Sequence, residues 1–158
     1  MIRRLTPHFA RIDGVDISQI LLNIAKEKSS RSNFYLSSGN DLAGAPHETY
    51  DFIYSTLCFQ HIASRTIRND ILKCIGKCVK KDGVVVIQTA YTKTYNGKEH
   101  ARYTEDRYET NSTNSTCDGT VTYQEIIFLK EDLNKVFDYV ELFLLQNEHP
   151  NPNGWDTH

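Results

Sequence analysis

The stretch Arg-Ile-Asp-Gly-Val-Asp-Ile-Ser at residues 11–18 decides which fold this sequence predicts. Its apolar residues suit a short buried strand over Arg11–Val15, because the run is too short for a helix and a helix signal follows at once. Asp16 closes this strand, and the Ser18 hydroxyl can cap the segment that comes next. The stretch therefore predicts a strand that turns directly into a helix.

Asp16 is the first candidate for a functional residue. In nucleotide-binding α/β folds, an acid at the tip of the second strand accepts hydrogen bonds from a ribose diol. A carboxylate suits this role because it only accepts hydrogen bonds and can take two hydroxyl donors at once. Acids also close ordinary strand-end turns, so the stretch alone leaves both interpretations open.

Strands and helices alternate three times within the first ninety residues. Helical spacing of apolar residues follows Ser18, at Ile20, Leu21, Ile24 and Ala25. A second helix is expected from about Arg65 to Val79, with a buried face of Ile67, Ile71, Cys74, Ile75 and Cys78. Further strands are expected at Asn33–Ser37, Tyr50–Ser55 and Val84–Thr89, the last one after a turn at Asp82 and Gly83. This order predicts an α/β fold with a mostly parallel, Rossmann-like sheet, right-handed crossovers and helices on both faces.

The two ends of the chain and residues 91–122 are less regular. Residues 2–10 read as the end of a helix that Pro7 stops. Residues 91–122 lose all periodicity over a length well beyond the ~12–15 residues of ordinary loops, which marks a binding loop or a disordered segment. A short helix at Lys130–Phe137 and a strand at Tyr139–Leu145 are expected before an irregular tail.

Composition limits the class of protein. The chain has 158 residues, 39% of them hydrophobic, which is enough for one core and one domain over residues 1–158. A net charge of −2 gives no nucleic-acid footprint, and no apolar run approaches the length of a membrane span. Four cysteines without a secretory signal indicate a reducing, cytoplasmic setting. Their spacing does not form a zinc site, so no metal is expected.

Five motifs, in this order and spacing, resemble those of the class I S-adenosylmethionine-dependent methyltransferases. They are Gly14–Ser18, Ser38–Leu42, Tyr50–Ser55, Phe59–Ile62 and Val79–Gln88. The resemblance covers residues 11–90 and implies S-adenosylmethionine as cofactor and methyl transfer as reaction. It also argues against a nicotinamide-dependent oxidoreductase, which would use Asp16 equally well.

The resemblance implies specific contacts with the adenosine part of the cofactor. Asp16 would hold the ribose diol, and Ile17 would flank the adenine. The loop Asn40-Asp41-Leu42 would read the adenine amino group and ring nitrogen, with Leu42 packed on the ring. The family more often has an acid where this chain has Asn40, so the choice between Asn40 and Asp41 stays open.

Further residues would line the remaining part of the cofactor pocket. The backbone at Ser55 would approach the methionine part, and Gln60 and His61 would line the pocket behind that strand. His61 is either a general base acting on the acceptor or a pocket-wall histidine held by hydrogen bonds. The methyl acceptor would be read by residues 91–122, whose tyrosines do not reveal its class.

The chain departs from the family at its front. The family's glycine-rich loop lies about twenty residues before the ribose acid. Only fifteen residues precede Asp16 here, with one glycine among them. We therefore expect an incomplete chain that lacks the first strand, whose place is between Arg11–Val15 and Asp51–Ser55, and that is also short at its C-terminus.

Two interpretations of function follow from this departure. The first is a methyltransferase domain that is inactive as these 158 residues alone, and the second is a degenerate, non-catalytic module that binds a protein partner. In either case we expect no stable two-state domain, no detectable cofactor affinity and self-association through exposed strand edges.

Overall fold

The computed structural model describes residues 5, 7–29, 31–62, 64–89, 102–104, 107–109 and 126–143. Within these ranges the helices are α1 (Gln19–Lys28), α2 (Arg65–Cys78) and α3 (Ile126–Asn134), with a short 3₁₀ helix at Phe59–His61. The strands are β1 (Gly14–Asp16), β2 (Phe34–Leu36), β3 (Tyr50–Ser55), β4 (Val79–Ile87), β5 (Arg102–Thr104) and β6 (Arg107–Glu109).

Both longer helices begin at a serine cap. The Ser18 hydroxyl accepts a hydrogen bond from the Leu21 amide, and the Ser64 hydroxyl accepts one from the Ile67 amide, each at 3.3 Å. Each serine satisfies an amide that the first turn of a helix leaves without a partner. The predicted cap at Ser18 is confirmed, and β1 runs into α1 as expected.

The strands form three separate pairs among the described residues. β1 pairs with β2 in parallel, with Asp16 opposite Leu36, and β3 pairs with β4 in parallel, with Ser55 opposite Ile87. β5 and β6 form an antiparallel pair inside the segment that was expected to be irregular. No backbone hydrogen bond joins the β1–β2 pair to the β3–β4 pair in the described part of the chain. The alternation of helices with parallel strands confirms the α/β class.

β4 begins earlier than the sequence predicted. Its register jumps from Val79 opposite Tyr50 to Val84 opposite Phe52, so the turn expected at Asp82 and Gly83 is a bulge within the strand. A β-carbon on Gly83 would lie 2.5 Å from Val79 Cγ2 and 3.0 Å from the Tyr50 carbonyl oxygen. Only glycine therefore fits this bulge.

The core lies between α2 and one face of the β3–β4 pair. Phe59, Leu72 and Ile75 form its buried centre, and side chains from both strands pack against it, namely Ile53, Val85 and Ile87. The side chains that alternate with these, Phe52, Val84 and Val86, are 38%, 55% and 47% exposed.

Helical periodicity selected the wrong face in part. In α1 the buried residue is Leu22, whereas Ile20 and Leu21 are 72% and 55% exposed. In α2, Ile75 and Cys78 are buried as predicted, but Ile67 is 37% exposed and Leu72, which was not predicted, is buried. Periodicity alone cannot tell which of two neighbouring apolar stripes meets the sheet, since that depends on how the helix packs.

Two expectations after residue 122 are wrong. The helix expected at Lys130–Phe137 is Ile126–Asn134, and Val136 and Phe137 lie in a turn in which both amides donate to the Leu133 carbonyl. Residues 139–143, the described part of the strand expected at Tyr139–Leu145, form no strand. Outside the described residues lie the remainder of that predicted strand, the tail, most of residues 91–122, and residues 2–4 and 6 of the first predicted helix.

Candidate functional site

Asp16 lies at the carboxyl end of β1, and a backbone amide holds one of its two carboxylate oxygens. The Ser18 amide donates to Asp16 Oδ1 at 2.8 Å, so the turn that starts α1 also fixes this carboxylate. Its second oxygen, Oδ2, has no hydrogen-bond partner among the described residues. The carboxylate is therefore held in place and keeps an acceptor oxygen for a ligand.

The loop after β2 lies at the same edge as Asp16. The Ser37 amide donates to the Asp16 carbonyl oxygen at 2.9 Å and joins the two strand ends. Within the loop, the Asp41 carboxylate accepts hydrogen bonds from the Ser38 hydroxyl at 2.7 Å, the Ser38 amide at 3.2 Å and the Ala43 amide at 3.0 Å. The Ser38 hydroxyl and these amides lower the pKa of Asp41. The loop thus uses the Asp41 carboxylate to hold its own shape.

Asn40 is the more accessible of the two residues that the sequence left as alternatives. It is exposed, and its Oδ1 lies 3.0 Å from the Ser38 hydroxyl oxygen. That hydroxyl has a single proton, and Asp41 is both closer to it and charged, so Asp41 is the preferred acceptor. The geometry leaves the Asn40 amide group available to a ligand, and its contact with adenine stays a prediction.

The two apolar residues assigned to the adenine differ in their surroundings. Ile17 is 71% exposed beside Asp16 and is free to cover a flat ring. Leu42 is half-buried and packs against the core cluster that contains Phe59. Leu42 therefore joins the loop to the core, and its packing on adenine stays a prediction.

Ser55, Gln60 and His61 lie at the carboxyl end of β3. The Ser55 carbonyl oxygen accepts a hydrogen bond from the Gln88 amide at 2.8 Å, just beyond the end of β4. In the 3₁₀ helix that follows, Phe59 is anchored in the core, Gln60 is buried and His61 is exposed. The Gln60 and His61 Nε2 atoms lie 3.3 Å apart. A histidine in this contact can either line a pocket wall or receive a proton, so both roles stay predictions.

The structure brings the predicted residues together in two groups. Asp16, Ile17, Asn40 and Asp41 share the carboxyl edge of the β1–β2 pair. Ser55 ends β3, and Gln60 and His61 come shortly after it. Ligands of open α/β sheets bind at such carboxyl edges, so this is the candidate site.

Sequence reasoning missed two residues at the carboxyl ends of β3 and β4. Leu57 has a φ of +57° and is 59% exposed, a strained backbone position for a bulky residue two positions after β3. The Thr89 hydroxyl oxygen, just beyond β4, is buried without a hydrogen-bond partner in the described ranges. No local signal in the sequence marks either feature, since both depend on tertiary packing.

Two kinds of feature are absent from the described residues. No helix there is long and apolar enough to cross a membrane. No cluster of three or more potential metal ligands occurs in the same part of the chain.

Comparison with known proteins gives two kinds of match. A family described as the methyltransferase domain matches residues 1–87, more than half of the chain. A structure from Methanosarcina mazei, titled as one of the SAM-dependent methyltransferases, has a TM-score of 0.60 at 13% identity, covering 93% of this chain and 77% of that one. A structure from Listeria monocytogenes, titled as an S-adenosylmethionine-dependent methyltransferase, has a TM-score of 0.56 at 18% identity, covering 85% and 68%. No curated protein matches the sequence. At these identities the two structures establish the Rossmann-like fold.

Proposed function

Because the chain belongs to the methyltransferase domain family, we propose that its carboxyl-edge residues bind S-adenosylmethionine and serve transfer of its methyl group to an acceptor. The observation that carries this proposal is Asp16, which is fixed by the Ser18 amide and keeps one carboxylate oxygen open. An acid with these properties at the tip of a parallel strand suits a ribose diol.

The described residues fit the adenosine part of this cofactor. Asp16 would accept hydrogen bonds from the ribose, and the exposed Ile17 would cover one face of the adenine. Asn40 or Asp41 would face the amino group, and the geometry of the loop favours Asn40. Ser55 and Gln60 would line the methionine side.

Methyl transfer requires little covalent help from the protein. When bound, S-adenosylmethionine supplies a methyl group on a positively charged sulfur, which is already reactive. The chain's part is to align an acceptor with this group and to exclude water from the cleft. In this proposal His61 either takes up a proton from the acceptor, if the acceptor releases one, or lines the pocket wall.

We further propose that residues 1–158 alone do not turn over. The segment before Asp16 contains a single glycine, Gly14, so no glycine-rich loop is present there to hold the methionine end. The same observation supports the second candidate function, a non-catalytic module that acts by binding a protein partner. A cytoplasmic setting and self-association through strand edges are part of the proposal, and the three described cysteines are free thiols.

Binding of 5′-methylthioadenosine tests the adenosine site directly. This compound carries adenine and ribose without the methionine amine and carboxylate, so it requires only the β1–β2 edge. We expect weak binding, visible in ligand-observed NMR at millimolar concentration. Asp16→Ala should weaken it by about 1–3 kcal/mol because the ribose hydroxyls lose a charged partner. Asp138→Ala, an exposed acid far along the chain, is the matched control.

Two outcomes would contradict parts of this proposal separately. Equal binding by the wild-type chain and Asp16→Ala would remove the ribose assignment. Binding of S-adenosylmethionine much tighter than that of 5′-methylthioadenosine would show that the chain holds the methionine end, and would contradict the reason given for the proposal that residues 1–158 alone do not turn over.

A further inference from the structure

A buried carboxylate lies at the opposite, amino-terminal ends of the strands. The Asp13 side chain is only 4% exposed and precedes β1 directly. It accepts two hydrogen bonds from the Arg11 guanidinium, at 2.9 and 2.7 Å, and one from the Asn33 amide at 2.8 Å. Arg11 and Asn33 belong to the segments that lead into β1 and β2, so these bonds fix the carboxylate within the first strand pair.

The fourth hydrogen bond of the Asp13 carboxylate comes from outside the β1–β2 pair. The Tyr50 hydroxyl, on the first residue of β3, donates to Asp13 Oδ2 at 2.8 Å across 37 positions of sequence. Burial and the nearby Tyr35 and Asp13 side chains raise the pKa of Tyr50, so its hydroxyl keeps the proton that it donates. A stacked pair of rings, Phe9 and Phe52 at 5.8 Å, lies between the same two parts of the chain.

The Tyr50–Asp13 hydrogen bond is important because the described residues provide no backbone link between the two strand pairs. In the described residues no backbone hydrogen bond connects the β1–β2 pair with the β3–β4 pair. The β3–β4 pair packs against α2 and the core, whereas β1 and β2 contact α1. The first pair therefore depends more on side-chain links for its position.

We propose that the Tyr50–Asp13 hydrogen bond docks the β1–β2 pair onto the β3–β4 pair and holds the two at a fixed separation. Its acceptor is charged, buried and immobilised by three other hydrogen bonds, which makes this a strong and directional link. Removal of the Tyr50 hydroxyl should release the first pair and leave the second pair intact. This inference does not depend on the proposed function.

Amide hydrogen exchange of the full 158-residue chain, resolved by peptide, provides the test. Tyr50→Phe removes the donor and keeps the ring, which avoids the risk that an Asp13 variant does not fold. We expect exchange of peptides covering β1 and β2 to become about tenfold faster, as for loss of one hydrogen bond to a charged group, with peptides of β3 and β4 unchanged. Tyr54→Phe is the matched control, since it makes the same change in the same strand and no hydrogen bond of its hydroxyl is described.

The result is decisive in each direction. Faster exchange confined to β1 and β2 in Tyr50→Phe, and absent in Tyr54→Phe, supports the docking role. An equal change in both strand pairs would overturn it, because the hydroxyl would then add only general stability. Unchanged exchange in Tyr50→Phe, or β1 and β2 peptides without protection in the wild-type chain, would overturn it as well.

Discussion

At the scale of single residues, the two acids of the candidate site have different tasks. Asp16 gives one oxygen to the Ser18 amide and keeps the other, whereas Asp41 is engaged by Ser38 and Ala43. The position of Asp16 could be predicted because a strand tip followed by a helix cap is a local pattern, and its contact with a ribose stays a prediction. The role of Asp41 could not be, because its hydrogen bonds arise only once the loop has closed on itself.

Asp41 is therefore expected to shape the loop. Asp41→Ala would free the Ser38 and Ala43 amides, and their hydrogen exchange should become about tenfold faster, as for the loss of a charged acceptor. Asn40→Ala is the control and should leave both amides unchanged, because Asn40 is only a secondary acceptor of the Ser38 hydroxyl. NMR exchange rates at these amides decide the matter. Faster exchange in Asn40→Ala and not in Asp41→Ala would reverse the two roles.

Low pH should destabilise the fold by protonating the buried Asp13 carboxylate. Burial by itself raises the pKa of Asp13, but hydrogen bonds from Arg11, Asn33 and Tyr50 lower it below its usual range. A pKa that is lower in the folded state stabilises the fold above the unfolded value of about 3.9, and this stability is lost as the pH falls through the folded pKa. The thermal midpoint should be nearly constant from about pH 7 to 5 and fall below about pH 4.

The decrease of the thermal midpoint at low pH should be smaller in Asp13→Asn, because asparagine has no titratable carboxylate at this position. Asp51→Asn is the control: its pKa is also lowered, by Lys80, but its side chain is 84% exposed and water screens the pair. Identical acid profiles for the wild-type chain and Asp13→Asn would contradict the role assigned to this carboxylate.

At the scale of elements, α2 and α3 are joined by an ion pair that no local pattern indicated. Arg65, the first residue of α2, donates two hydrogen bonds of 2.7 Å to the Asp132 carboxylate of α3, whose side chain is 2% exposed. Gly76 adds a close approach, since a β-carbon there would lie 2.5 Å from Val136 Cγ1. The sequence predicts a helix in this region, but no local pattern indicates an ion pair between two residues 67 positions apart.

Loss of this pair should destabilise the contact between the two helices. Asp132→Asn keeps the shape of the side chain but removes the buried negative charge that Arg65 contacts most closely, at a cost of about 2–3 kcal/mol, since Arg65 is partly exposed. Glu131→Gln is the control and should cost under about 0.5 kcal/mol, because Glu131 is 55% exposed and 3.6 Å from Arg65. Thermal unfolding followed by circular dichroism measures both, and equal effects would contradict the assignment.

The errors of prediction at this scale share one cause. The parallel pairing of the strands followed from their alternation with helices, which is a local signal. The strand expected at Tyr139–Leu145 is absent over residues 139–143, because an apolar run does not reveal whether a partner strand is available to it. The start of β4 was predicted too late, because the bulge at Gly83 depends on close contacts with Val79 and Tyr50. Tyr50 is distant in sequence, so no local pattern indicates its contact.

At the scale of the whole molecule, the described strands form two parallel pairs and one antiparallel pair rather than one continuous sheet. Side chains link the pairs, through Tyr50 and Asp13 and through Phe9 and Phe52. A domain assembled in this way has fewer backbone hydrogen bonds between its halves than a single sheet, and its total stability is only ~5–15 kcal/mol at most. We therefore expect the halves to unfold over different ranges of denaturant.

Our central proposal is that these 158 residues carry the adenosine site of a methyltransferase but neither unfold in a two-state transition nor hold the methionine end of the cofactor. Urea unfolding of the purified chain, with and without S-adenosylmethionine at micromolar concentration, tests it most directly. The account predicts a broad transition, or protein that self-associates, and a midpoint that the cofactor leaves unchanged. A sharp, cooperative transition of a soluble monomer whose midpoint rises with cofactor would contradict it.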